Sequence, residues 1–238
     1  MPGPMQLIAL VVFDMAGTTI EDAGQVPEAF TKVLLGHGIR ITEAELNALR
    51  GASKRDAIRH FASLQNADDV EARTDAIFDD FRAYLSGLFR AGGVKPIDGA
   101  AATFAWLRAR QIKVALNTGF DRTIADLILQ AVGWQGAVDT MVCGDDVTNG
   151  RPAPDLIFKA MERTGVSDPG CVMAVGDTIL DLRAGRNAGA GQVVGVLSGA
   201  HSRAQLEKEP HDYLINSVAE LPALFGVNGV SASGAGSI

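Results

Sequence analysis

Cysteine is scarce in this chain: two in 238 residues, Cys143 and Cys171. Both adjoin apolar, strand-like runs and read as buried reduced thiols. A disulfide framework or a zinc site needs more ligands at tighter spacing. Cations are outnumbered, 21 Lys and Arg against 28 Asp and Glu, for a formal charge of −7. That balance argues against a nucleic-acid or anionic-membrane partner, which requires clustered positive charge. No apolar run approaches the ~20 residues that cross a bilayer, and no basic-then-apolar leader with a small-residue cleavage site is present. The expected compartment is therefore the cytoplasm. What remains is an ordinary globular composition, 47% hydrophobic and 21% charged. A chain of this length buries roughly 70–75% of its unfolded surface, enough for one α/β core and a smaller appended domain.

The stretch Leu7-Ile-Ala-Leu-Val-Val-Phe-Asp-Met-Ala-Gly-Thr-Thr19 carries the strongest signal. Seven apolar residues have the length and β-rich composition of a strand covered on both faces. Asp14 falls at its carboxyl end, where open α/β sheets place their ligands. Ala16, Gly17 and Thr18 make a tight turn beside that carboxylate. An acid two residues after a nucleophilic Asp protonates a leaving group; Ala16 has no proton to give.

From 20 to 93 the pattern is helical. Helices are expected over 27–37, 42–50, 53–65 and 69–90, the last with Ile77, Phe78, Phe81, Tyr84, Leu85, Leu88 and Phe89 at three- and four-residue steps. Thr42 with Glu45 and Ser53 with Asp56 resemble capping boxes. Gly92-Gly93 offers a return hinge. From 99 onward helices (100–110, 124–132, 155–164, 180–188) alternate with strands (112–116, 137–142, 171–175, 192–197), the signature of a parallel sheet with helices on both faces. The expected fold is α/β: a Rossmann-like parallel-sheet core formed by 1–20 and 94–225, with a helical cap domain, 21–93, inserted after the first strand. The Gly-, Ser- and Ala-rich tail, 226–238, is expected to be disordered.

Three later positions repeat the geometry of Asp14. Asn117-Thr118-Gly119 ends one strand, Gly150-Arg151-Pro152 precedes a helix, and Gly176-Asp177-Thr178 ends another strand with Asp181 four residues on. In a parallel sheet these ends share one crevice. Asp14 and Asp177 are hard oxygen ligands suited to Mg²⁺, with Asp181 placed to hold a metal-bound water or to orient Asp177. Thr118 and the Gly119 amide can donate to phosphate oxygens, and Arg151 supplies a planar cation. Metal plus cation neutralises a phosphoryl dianion for attack by a carboxylate. Asp121 and Asp155 read as helix caps, and Asp98 and Asp146 as turn residues.

Asp14-Met-Ala-Gly-Thr18, Thr118, Arg151 and Gly176-Asp-Thr-Ile-Leu-Asp181 resemble the four signature motifs of the haloacid dehalogenase (HAD) superfamily. The resemblance spans nearly the whole chain short of the tail. It implies Asp14 as nucleophile, forming an aspartyl phosphate, and Mg²⁺ on Asp14, the Ala16 carbonyl and Asp177. Thr18 joins the phosphate-binding set. Ala16 in place of an acid and Arg151 in place of a lysine are similar to the phosphonatase branch, phosphonoacetaldehyde hydrolase, as are Gly150-Arg-Pro-Ala-Pro154 and Gly185-Arg-Asn-Ala-Gly189. That branch carries a cap lysine that forms a Schiff base with the substrate aldehyde, and Arg50-Gly-Ala-Ser-Lys54 matches its segment. The branch has Met at the position of Arg50, His at Ala57 and Tyr at Phe120.

Losing a positioned general acid costs ~10²–10⁴-fold. Cleaving a C–P bond through a protonated imine on Lys54 needs no such acid, because the imine takes up the electron pair. Imine formation requires a Lys54 pKa below the usual ~10.4, with Arg55 and Arg50 as favourable neighbours and Asp56 opposing. Lys54 reads equally as a non-covalent anion clamp, a role Arg50 fits better than the imine; a surface lysine is a third reading. The expectation is a Mg²⁺-dependent hydrolase releasing phosphate from a small-molecule organophosphorus substrate. A small-metabolite phosphatase, a metal-free dehalogenase and a catalytically idle binding module are the alternatives. A homodimer is compatible with the sequence, which does not specify assembly.

Overall fold

A computed structural model describes residues 6–64, 69–225 and 230–232. Its centre is a six-stranded, wholly parallel sheet built from β2 (Leu10–Asp14), β3 (Lys113–Asn117), β4 (Thr140–Val142), β5 (Val172–Gly176), β6 (Gln192–Val196) and β7 (Tyr213–Ile215), in the order β4-β3-β2-β5-β6-β7. Alternation along β2 explains its central place. Val11 and Phe13 enter one hydrophobic core, Leu10 and Val12 the other, and all five residues of the strand are buried. On the first face lies α5 (Ala100–Arg108), whose Phe104 meets Phe13 and Trp134 edge-on at 5.3 and 5.0 Å between ring centroids. Such aromatic pairs add about 0.5–1.5 kcal/mol each beyond area burial. The second face is covered by α7 (Asp155–Thr164) and α8 (Ile179–Asn187).

Four helices intervene between β2 and the rest of the sheet: α1 (Gln25–Gly36), α2 (Glu43–Ala48), α3 (Lys54–Ser63) and α4 (Val70–Gly92). Thr42 and Glu45 form the expected capping box on α2, and Ser53 caps α3 by accepting the Asp56 N–H. Ile77, Phe81, Leu85 and Phe89 form the buried stripe of α4, which packs on α1 and α3. Phe30 against Phe81 and Phe89 against Phe120 carry that stripe from the helical block into the core. Gly93 ends α4 at φ 77°, the return point expected at 92–93.

The structure departs from the expected elements in four places. The run 7–13 is two strands: β1 (Gln6–Ile8) leaves the main sheet before Leu10 and pairs in parallel with β8 (Val230–Ala232). Those three tail residues are thus paired rather than disordered, because β1 offers free backbone groups along its edge. The remainder of the tail, 226–229 and 233–238, and Gln65 of the third expected helix lie outside the described residues. The strand expected from 137 begins at Thr140, since the Asp139 carboxylate takes the Val114 N–H at 2.9 Å and displaces the ladder there. Strand β7 was not anticipated; three residues are too few to show a period. No helix among the described residues is long and apolar enough to cross a membrane.

Candidate active site

Because every strand of the main sheet runs the same way, their carboxyl ends form one edge, with the helical block above it. There a cavity of about 60 Å³ is lined by Asp14, Ala16, Thr118, Gly119, Arg151 and Asp177 from the core, by Arg50 from the turn between α2 and α3, and by Lys54 from the start of α3. Eight of the ten residues expected at the site therefore meet in one space.

Arg151 organises the floor. Its guanidinium donates to Asp14 Oδ1 at 2.7 Å, faces Asp181 Oδ1 at 3.0 Å, and donates to Asn117 Oδ1 and to the Gly51 carbonyl of the cap loop. A lysine could satisfy one of these directions; the planar fork satisfies several. Burial pushes the Asp14 carboxyl up to about 6, with the Asp181 charge adding to it while Arg151 and Lys54 oppose it. Asp177 is likewise held well above the ordinary carboxylate range, first by burial and then by Asp14 and Asp181.

Oxygens of Asp14, Asp177 and Asp181 lie within 4.8 Å of one another, all three residues buried. Three crowded carboxylates, two with raised pKa values against one buried guanidinium, make a donor set short of positive charge. A divalent ion fits it, and hard oxygen donors suit Mg²⁺. Asp177 is also tightly housed: a β-carbon on Gly17, at φ 89°, would sit 2.5 Å from its Oδ2. Only glycine lets the turn after Asp14 approach that closely.

Two of the expected residues also serve the surrounding structure. Thr18 is fully buried, and its hydroxyl donates to Asp177 Oδ1 at 3.0 Å while its amide donates to the Met15 carbonyl. It fixes Asp177 and does not reach the cavity. Asp181 Oδ2 accepts the Thr178 N–H at 2.9 Å in a capping box, and its Oδ1 faces Arg151. Asp181 therefore orients Arg151 and the start of α8, and does not touch Asp177 by hydrogen bond. Arg50 lines the cavity, but donates to Asp22 at 2.9 Å and to Asn47 at 2.9 Å. Thr118 Oγ1 accepts the Phe120 N–H at 3.1 Å, which leaves its proton available to a ligand.

Lys54 opens α3, with its backbone N–H on the Gly119 carbonyl at 3.0 Å. Its ammonium donates to the Ala52 carbonyl at 3.3 Å and stands 5.0 Å from the centre of the Phe120 ring. Desolvation lowers its pKa, opposed by Asp14 and assisted by Arg151. The helpful cation is thus Arg151 rather than Arg55 or Arg50. Arg55 turns outward to Glu71 and Asp75, and Asp56 pairs with Arg59.

Sequence reasoning missed the segment after β6. Ser198 Oγ donates to the Gly17 carbonyl at 2.8 Å, the Ala200 N–H donates to Asp177 Oδ2 at 2.7 Å, and His201 Nδ1 accepts the Ile179 N–H at 3.0 Å. One loop thereby fastens the turn after Asp14, Asp177 and the first turn of α8. The strand-end rule that found Asp14, Thr118 and Asp177 applies equally to β6 and would have found it. Asp22, one residue past the first turn region, belongs to no motif and carried no signal.

A haloacid dehalogenase-like hydrolase family model matches residues 8–189. Phosphonoacetaldehyde hydrolase of Lactiplantibacillus plantarum is 33% identical, with 91% of this chain and 95% of that protein covered. The Bacillus cereus (strain B4264) protein of the same name is 32% identical over 85% of this chain and 80% of its own. Among solved structures, a phosphonoacetaldehyde hydrolase-like protein from Oleispira antarctica superposes with a TM-score of 0.81 at 25% identity, covering 96% of this chain and 94% of that one.

Proposed function

The chain belongs to the haloacid dehalogenase-like hydrolases, and from that premise we propose that it cleaves the C–P bond of a small 2-oxo phosphonate and releases phosphate. One observation carries the reading: a cap lysine of lowered pKa, Lys54, and a core carboxylate, Asp14, line the same cavity, with a methyl group at position 16 where an ester hydrolase needs an acid.

The phosphonate group lies on Arg151, Thr118 and the Gly119 amide. Asp14, Asp177 and the Ala16 carbonyl would hold Mg²⁺, which when bound neutralises the phosphoryl charge. Neutral Lys54 adds to the carbonyl carbon, the carbonyl oxygen leaves as water, and the imine nitrogen takes up one proton from solvent to give a protonated imine. Asp14 attacks phosphorus, the C–P bond breaks, and its electron pair passes into the imine to form an enamine. Protonation at carbon and hydrolysis free the carbonyl product from Lys54, and a second water hydrolyses the aspartyl phosphate. The cap loop excludes bulk water while Asp14 is engaged.

A second reading has its own observation. The contact of the Lys54 ammonium with the Phe120 ring favours the charged amine, which suits an anion clamp in a phosphate-ester phosphatase. Borohydride reduction in the presence of Mg²⁺ and phosphonoacetaldehyde separates the two. A mass adduct on Lys54 with phosphate release is expected. Phosphate release from esters alone, with no adduct, would establish the clamp and overturn the imine.

A further inference from the structure

The two ends of the cavity differ in chemistry. Its core end is charged, whereas the cap end is walled by Val26, Phe30, Leu46, Leu49, Ala57 and Phe120. The charged groups interrupting that wall are Lys54 and the Asp22–Arg50 ion pair, in which Arg50 already donates to both Asp22 and Asn47. A hydroxylated substrate such as a sugar phosphate would set its hydroxyls against hydrocarbon. Each unpartnered hydroxyl weakens binding by roughly fivefold to a hundredfold.

The apolar wall is closest where the reaction needs specificity. Ala57 follows Lys54 by one helical turn on α3 and shares its face, so the side chain beside the amine is a single methyl. Phe120 flanks the same amine from below. The apolar side chains that line the cavity with that amine, Ala57 and Phe120 together with Phe30, Leu46 and Leu49, offer hydrocarbon to the second substituent of a carbonyl carbon bonded to Lys54 Nζ. A short alkyl group gains burial against them and a hydrogen does not.

We infer that the cap end is an alkyl-binding subsite and that the substrate class extends to 2-oxoalkylphosphonates, ketones with a short hydrocarbon chain on the carbonyl carbon. The inference rests on the C–P cleavage reading above. The reaction balances as one ketophosphonate plus one water giving a methyl ketone plus phosphate. The C–P bond breaks, its electron pair protonates at carbon, and water oxygen ends on phosphorus.

The test compares phosphate release from phosphonoacetaldehyde, from 2-oxopropyl-, 2-oxobutyl- and 2-oxopentylphosphonate, and from glucose 6-phosphate, using the full chain with Mg²⁺. Within the ketone series kcat/KM is expected to rise roughly fifteenfold from methyl to propyl, two buried methylenes, with glucose 6-phosphate inert. Ala57→Val narrows the space and is expected to flatten or reverse that rise; the substrate series alone decides the matter should this variant fold poorly. Turnover of phosphonoacetaldehyde with flat, falling or absent ketone rates overturns the alkyl subsite and leaves C–P cleavage standing. Turnover of glucose 6-phosphate but of none of the phosphonates, or no turnover at all, overturns both.

Discussion

Gly119 stands so close to Ala52 that a β-carbon on it would lie 2.4 Å from the Ala52 carbonyl oxygen. On the same peptide, the Gly119 carbonyl accepts the Lys54 N–H at 3.0 Å. The second strand end of the core and the loop that leads into α3 are thus in backbone contact. That contact holds the start of α3, and with it Lys54, against the cavity, and the absence of a side chain at 119 permits it.

Gly119→Ala is accordingly expected to hold the cap loop away from the core. Misplacing a reacting group by about 1 Å costs on the order of 10²-fold, so kcat/KM should fall by about that factor. The thermal midpoint should fall as well, since the added β-carbon meets backbone rather than a yielding side chain and the Lys54 N–H bond to the Gly119 carbonyl is lost with the displacement. Unchanged kinetics in the alanine variant would show that the loop contact does not position Lys54.

Asp14→Asn keeps the shape of the side chain and an acceptor for Arg151, which still faces Asp181 and Asn117. Turnover is expected to drop at least about 10³-fold, while far-ultraviolet circular dichroism and the melting temperature stay close to the parent. Retained phosphate release in this variant would remove Asp14 from the role of nucleophile.

Crowding of Asp14, Asp177 and Asp181 gives a direct thermodynamic expectation for metal. At 100 times its dissociation constant, Mg²⁺ should stabilise the fold by about 2.7 kcal/mol, roughly 5–10 °C in melting temperature for a chain of this size. Asp177→Asn should abolish most of that shift. A melting temperature indifferent to Mg²⁺, and to its removal by chelator, would mean the carboxylates do not hold the ion.

Much of this arrangement was legible in the sequence because it follows local rules. Buried parallel strands read as apolar runs, and Asp14, Thr118 and Asp177 were found by standing just past them. Arg151 was found from its position before α7. Long-range partnerships were less visible. Nothing near Thr18 signals that its hydroxyl turns to Asp177, 159 residues away, and nothing near Arg50 signals Asp22. The Arg55 charge looked close to Lys54 in sequence, yet adjacent helical residues point about 100° apart, which sends Arg55 to Glu71 instead. The β6 loop also lies at a strand end, but its contribution is made by the Ser198 hydroxyl, a backbone amide and one histidine nitrogen, with no carboxylate or guanidinium to mark it.

That histidine gives the fourth expectation. His201 Nδ1 accepts the first free amide of α8, while the neighbouring Ala200 amide holds Asp177. His201→Ala should loosen the loop and raise the metal dissociation constant by about tenfold, as supporting contacts around metal ligands commonly do. Direct Mn²⁺ titration by electron paramagnetic resonance reads this without turnover. His201→Asn restores an acceptor and should recover part of the affinity. Equal affinities for all three proteins would reduce the loop to simple packing.

The last expectation concerns the charge on Lys54. Burial lowers its pKa, Arg151 lowers it further, and Asp14, Asp22 and Asp181 raise it. A lowered lysine pKa enlarges the neutral, nucleophilic fraction at a given pH. The rate of borohydride-trapped adduct formation should therefore rise with pH and reach half its maximum below the ~10.4 of an ordinary lysine. Asp22→Asn removes one of the opposing charges and frees the Arg50 cation, and both changes act in the same direction. The midpoint should move to still lower pH in that variant, with the trapped mass on Lys54 unchanged. A midpoint that stays put in Asp22→Asn, or that moves upward, would contradict the electrostatic account of this amine and leave desolvation as its sole cause.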